Sequence, residues 1–235
     1  MTDMVFQLAL AVIPTIIAIT LHEAAHGYAA LMLGDTTARD AGRLSLNPLR
    51  HVDRVGTIIL PGILLVTQLL LPPHRISFMF GWAKPVPVAA WAFPDPRRYM
   101  AIVALAGPAM NFFLAWIGAL LMPETGAPGT FSAIVVQFLF YFMLSNLVLG
   151  MFNLLPIPPL DGGRVAVGIL PLRLAMAWAR LERAGLVIVL AVVFLLPPLT
   201  GFDPVGTALR RILPWAFDTM LWLAGHDFGP SSGAI

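Results

Sequence analysis

Residues 4–33, MVFQLALAVIPTIIAITLHEAAHGYAALML, decide how the rest of the chain is read. This run of thirty residues holds a single charged side chain, Glu23. At about 1.5 Å per residue, a helix of that length exceeds the roughly 30 Å hydrocarbon core of a bilayer, so it spans with tilt. The spacing His22-Glu23-x-x-His26 puts both imidazoles on one helix face, one turn apart, within reach of one Zn²⁺. Glu23 projects beside that position, where it can take a proton from water. Packing alone is a poor reason for the trio, because a charged side chain at the bilayer centre costs at least about 2.5 kcal/mol.

The remaining composition agrees with a membrane solvent. Hydrophobic residues make up 59% of the chain and charged residues 11%, against about 25% charged in soluble domains. Proline (21) and glycine (20) are plentiful, as expected where membrane helices break and pack closely. There is no cysteine, so no disulfide and no thiolate metal site. A formal charge of +2 with no long basic run argues against a nucleic-acid partner. The expected partner at this point is the lipid bilayer; the oligomeric state is not readable.

Outward from the first run, Val55–Pro72, Met100–Met122, Phe131–Leu155, Leu186–Pro198 (extending to Phe202) and Ile212–Gly225 are apolar. The fold expected is an all-α polytopic membrane protein of about five or six transmembrane or re-entrant helices. Pro61-Gly62 at the centre of Val55–Pro72 suggests a bend or re-entrant hairpin. Residues 75–91, RISFMFGWAKPVPVAAW, are apolar, aromatic and punctuated by proline, which suits a small membrane-associated β-hairpin. Within it, Ile76–Val88 could offer a strand edge to an extended peptide. The whole of 1–235 reads as one integral-membrane domain, with a core over 4–165, C-terminal helices over 166–225 and a flexible tail from His226. The first apolar run lacks a charged n-region and reads as a mature helix, not a signal peptide.

A catalytic zinc takes three protein ligands and leaves one position open. Between Glu124 and Arg164 the only charged residue is Asp161, in FNLLPIPPLDGGR. Pro156, Pro158 and Pro159 end the preceding helix, and irregular backbone at membrane depth is tolerated only when buried or lining a wet cavity. Asp161 is therefore a candidate third ligand; capping a helix that begins near Arg164 is the other reading, and one carboxylate can do both. His51 and His74 in polar linkers and His226 in the tail are weaker candidates, read as surface or interfacial.

HEAAH at 22–26, AGPAMN at 106–111 and NLLPIPPLDGG at 153–163 together resemble the site-2 protease family of intramembrane zinc metalloproteases, peptidase family M50. RLSLNPLRHVD at 43–53 and FGWAKPVPV at 80–88 resemble its short bacterial and archaeal members, which lack a PDZ or CBS domain. The resemblance implies one zinc per chain held by His22, His26 and Asp161, with Glu23 as general base and Asn153 near the scissile carbonyl. It implies cleavage within or near transmembrane segments of membrane-protein substrates. Asn153 can equally be a helix-helix hydrogen-bonding residue. Asn111 reads as structural, holding a helix start against its neighbours. Two rival classes are a membrane metal-ion transporter, which would show more intramembrane acids, and a non-catalytic homologue that binds membrane segments.

Linkers 34–54, 73–99 and 162–184 hold twelve of the fourteen Lys and Arg residues. By the positive-inside rule they face the cytoplasm, which puts the N-terminus outside and the site nearer the cytoplasmic face of a prokaryotic cell membrane.

Overall fold

The computed structural model describes residues 2–70, 81–123 and 131–226. Its first helix, α1, runs Thr2–Met32 without interruption at Pro14 and ends where Gly34 adopts a φ of 101°, a left-handed conformation that glycine enters without steric cost. The short helix α2 (Thr37–Asp40) follows. A π-helical turn, Arg54–Ile59, then leads into α3 (Leu60–Leu70). The long helices α4 (Pro96–Leu120) and α5 (Phe131–Asn153) come next. Asp95 caps α4 by accepting from the Arg98 N–H, and Pro96 opens it, where a missing N–H costs nothing. Beyond the proline-rich turn lie α6 (Asp161–Ile169) and α7 (Leu172–Arg180). After α7 come α8 (Gly185–Leu190), α9 (Leu196–Thr200) and α10 (Pro204–Leu223).

Four described stretches are long and apolar enough to cross a bilayer: Phe6–Met32, Pro96–Leu120, Phe131–Asn153 and Leu172–Thr200. Two of the expected boundaries change. The segment expected at Leu186–Pro198 begins fourteen residues earlier, because α7, α8 and α9 are joined by 3₁₀ and π turns into one helical run from Leu172 to Thr200. Its early arginines, Arg173, Arg180 and Arg183, fall within the expected linker 162–184. No hairpin reversal occurs at Pro61-Gly62: the helical run continues through both residues, with Pro61 in the first turn of α3 and a π turn just before it. The apolar helix Arg54–Gln68 is about 22 Å long, short of a full crossing.

The expected β-hairpin is also not found. No strand occurs among the described residues, and 81–89 is irregular; the part of that expectation on residues 71–80 lies outside them. The physical reason is visible in its hydrogen bonds. Pro85 and Pro87 have no N–H to donate, and the remaining donors go to scattered partners: Trp82 N–H to Gly56 O (3.1 Å), Lys84 N–H to His51 O (2.8 Å), Ala89 N–H to the Asp35 carboxylate (2.7 Å). The segment is a strap laid against α1, not half of a ladder.

Helix α4 is the centre of the bundle, packed by α1, α5 and α6, with α10 against α5 and α4. Small residues make this close approach possible: Ala18, Ala24, Ala25 and Ala30 on α1, and Ala101, Ala104, Gly107, Ala115, Gly118 and Ala119 on α4, are all buried. Many large apolar side chains point outward instead, among them Ile13, Ile16, Ile102, Leu105 and Phe113. An inside of small residues and an outside of large apolar ones is the pattern expected when the solvent is lipid.

Candidate metal centre

His22 and His26 lie on the face of α1 that packs against α4. Their rings are perpendicular, with centroids 4.6 Å apart and Nε2 atoms 3.1 Å apart. Gly107 of α4 makes room for them. A Cβ there would sit 2.5 Å from the His26 Cε1 and Nε2 atoms and 2.6 Å from the His22 Cε1.

The third group arrives from the start of α6, which also packs against α4. The turn after α5 is tight because a Cβ on Gly162 or Gly163 would strike the carbonyl groups of Leu154 and Leu155 or the main chain of Ile157 and Pro158. The turn delivers Asp161, 7% exposed, as the first residue of α6; Leu160 takes the N-cap position, so the capping reading of Asp161 fails. Its Oδ2 lies 3.1 Å from the His22 Nε2 and 3.3 Å from the His26 Nε2.

The protons on the imidazoles follow from their other nitrogens. His26 Nδ1 is 2.7 Å from the Val103 main-chain oxygen, which can only accept, so Nδ1 carries the hydrogen. His22 Nδ1 is 2.6 Å from Asn111 Oδ1. The Asn111 amide is oriented by a chain of acceptors: its Nδ2 donates to Ala18 O (3.3 Å) and to Asn146 Oδ1 (2.9 Å), while the Asn146 Nδ2 donates to Phe142 O (2.8 Å). Asn111 Oδ1 is thus the acceptor and His22 Nδ1 the donor. In the neutral rings both Nε2 atoms present lone pairs, and they face an ionised carboxylate oxygen that has no hydrogen-bond donor of its own. Three acceptor atoms converging without a proton between them are what a divalent cation satisfies, and two imidazoles with a carboxylate are a donor set that suits zinc.

Glu23 projects from the same turn of α1, half-buried, and its Oε2 accepts from the Val86 N–H at 3.1 Å. With His22 it lines a cavity of about 210 Å³ whose other walls include Trp82, Phe152, Asn153 and Leu186. Asn153 therefore shares the cavity; one of its two amide N–H bonds goes to Leu149 O at 3.0 Å. A larger groove of about 690 Å³ between α4, α6 and α7 contains none of these residues.

The other histidines stand apart. His51 is buried, not at the surface as expected, with its Nε2 2.8 Å from Ser45 O. His226 lies against Ala119 O at 2.9 Å, and His74 is outside the described residues. Asn111 is not near a helix start, since α4 runs from Pro96 through Pro108, and its contact with His22 goes beyond holding helices together. Sequence reasoning missed Asn146 altogether. Its signal was available: a polar amide in the otherwise apolar run 131–155.

The sequence model of "Peptidase family M50" matches residues 125–196, a stretch that contains Asn153 and Asp161. A protein of Bacillus subtilis (strain 168) named "Putative zinc metalloprotease YwhC" is 39% identical over 191 residues, 79% of this chain and 80% of that one. The chain belongs to peptidase family M50. Two further relatives are named "Putative zinc metalloprotease Rip2". The Mycolicibacterium smegmatis protein is 29% identical over 94% of this chain and 74% of its own length. The Mycobacterium tuberculosis H37Rv protein is 30% identical over 88% and 70%. No solved structure matches the chain. Membership of M50, with four helices apolar enough to span, makes this an integral membrane protein of a metallopeptidase family.

Proposed function

We propose that the chain is a zinc-dependent intramembrane endopeptidase that hydrolyses peptide bonds within or near transmembrane segments. The observation that carries this reading is the convergence of the His22 Nε2, His26 Nε2 and Asp161 Oδ2 atoms, with Glu23 lining one cavity together with His22. One zinc ion per chain is assigned to His22, His26 and Asp161. When bound, zinc supplies Lewis acidity, polarising a carbonyl and bringing the pKa of water toward about 7.

Glu23 is the general base: it takes a proton from water in the cavity and returns it to the leaving amine. Asn153 has its second N–H to donate to the carbonyl oxygen as that oxygen gains negative charge. A helical substrate has its backbone groups paired within itself, so it must unwind locally before a carbonyl enters. The buried cavity, walled by Trp82, Phe152 and Leu186, suits an apolar segment.

The basic residues of linkers 34–54 and 73–99 support an orientation with the site nearer the cytoplasmic face of a prokaryotic plasma membrane. Impermeant thiol labelling of single cysteines placed in this cysteine-free chain checks it: position 126 labels from outside intact cells, and positions 36 and 74 stay protected.

The deciding experiment incubates the purified chain with zinc and a model transmembrane peptide. Wild type cleaves, and Glu23→Gln keeps zinc while cleavage falls by orders of magnitude. Equal cleavage by the two proteins would rule the reading out.

A further inference from the structure

Pro85, Val86 and Pro87 contain a single main-chain N–H, that of Val86. It donates to Glu23 Oε2 at 3.1 Å. The strap that carries it is fixed on both sides of that contact. Upstream, the Lys84 N–H reaches His51 O (2.8 Å), the Thr57 hydroxyl reaches Trp82 O (2.8 Å), and Arg43 Nη2 holds Lys84 O (2.9 Å). Downstream, the Ala89 N–H is held by the Asp35 carboxylate at 2.7 Å. Gly56 lies so close to the Trp82 ring that a Cβ there would collide with it. Val86 itself is 7% exposed.

A free glutamate carries up to about 2 kcal/mol of rotamer entropy. A base that wanders among rotamers spends little time where the proton is. We propose that the Val86 main-chain N–H is the positioning group for Glu23: it pins Oε2 and leaves Oε1 to face the cavity and take the proton. The flanking prolines make the assignment unique, because a slip of one residue in either direction presents no N–H at all. They also keep the strap extended, since the residue before a proline is driven from the helical region. This inference rests on the assignment of Glu23 as base, and the strap acts through Glu23 alone, not on the metal ligands.

The test uses the purified full chain, loaded with zinc, on a model transmembrane peptide, with kcat, KM and zinc content measured for each variant. Val86→Pro removes the N–H. Because that variant can fail to fold, the second variant places 2-hydroxy-3-methylbutanoic acid at position 86, which exchanges N–H for O and keeps the side chain. Both are expected to lower kcat about 10- to 100-fold, the range for removing an outer-shell partner, with KM and zinc content retained. Val86→Ala keeps the N–H and retains most of the wild-type kcat. In a Glu23→Gln background the ester causes no further loss. The proposal is overturned if the ester variant has wild-type kcat. It is also overturned if Val86→Ala loses as much as the ester, or if the ester releases zinc. An inactive Glu23→Gln beside a fully active ester would sink this inference alone. Equal cleavage by wild type and Glu23→Gln would sink the base assignment and this inference with it.

Discussion

The two walls of the site are held by opposite means. On the helical wall, side chains orient side chains inside a bundle of small residues: Asn111 and Val103 of α4 fix the imidazoles of α1, and Gly107 lets them in. On the strap wall, main-chain N–H groups are held by carboxylates, Val86 on Glu23 and Ala89 on Asp35. A bundle packed through alanine and glycine has little freedom to shift, whereas the strap's position depends on a few separate hydrogen bonds. Damage to the helical wall should therefore remove the metal, and damage to the strap should leave the metal and impair what surrounds it.

The largest expected effect is on the ligands. Purified protein should hold about one zinc per chain, and His22→Ala or His26→Ala should nearly abolish it. Asp161→Ala should weaken binding severely, read as metal content after dialysis. Full occupancy in the Asp161 variant would put the third ligand elsewhere and dissolve the helical wall as described.

Next is Gly107→Ala, which keeps every ligand. Its methyl would lie 2.5 Å from the His26 ring, so α1 and α4 must part or the imidazole must turn. Overpacking of this kind costs about 1–3 kcal/mol, and zinc affinity should fall with it. A variant that binds zinc normally would mean that the helices have slack there. Asn111→Ala is milder: it frees His22 Nδ1 and should cost about 10- to 100-fold in zinc affinity. Asn146→Ala, one hydrogen bond further out, should cost less than Asn111→Ala. Equal losses would show that the two amides act as one unit.

These walls also differ in how far the sequence discloses them. His22, Glu23 and His26 are legible because a helix turns the spacing of four into adjacency, and Asp161 because charge is scarce in that stretch. In the fold His22, His26 and Asp161 lie together, and Glu23 shares a cavity with His22. Asn111 was noticed, but its partner was not, since nothing in AGPAMN says which α1 residue it meets. The strap does not form the expected hairpin because an apolar, aromatic, proline-punctuated stretch says nothing about where N–H groups go; they go to Glu23, Asp35 and isolated carbonyls far apart in sequence. The run Leu172–Thr200 was cut short for a related reason: its arginines look like a linker when helical continuity is not in view.

The prediction with the least effect on the metal, and the sharpest on the strap, concerns Asp35, just beyond the end of α1. It is 2% exposed, and burial by itself pushes its carboxyl pKa up. Three donors override burial and hold it below the ordinary value of 3.8: the Thr37 hydroxyl, the Thr37 N–H at 2.9 Å and the Ala89 N–H at 2.7 Å. A carboxyl whose folded pKa is depressed contributes stability that is fully present above the unfolded value and is lost as pH falls through the folded one. The contribution of Asp35 is therefore complete at neutral pH, begins to fall near 3.8, the unfolded value, and is gone only below the lower folded value. Hydrogen bonds to a charged group are worth about 1.5–3 kcal/mol, so Asp35→Asn, which keeps the shape and loses the charge, should be destabilised by that order at pH 7. As pH falls below 4 the gap between wild type and Asp35→Asn should close, because protonation makes the wild type resemble the variant. Taking the difference between the two cancels the other carboxyls, which titrate in both. Hydrogen exchange at the Ala89 amide should accelerate in the variant at neutral pH, and zinc content should not change. A gap that stays constant through the acid range, with Ala89 exchange unaltered, would mean that the strap is held by something other than this carboxylate. Loss of zinc in Asp35→Asn would mean instead that the two walls are one structure, and the contrast between them would fail.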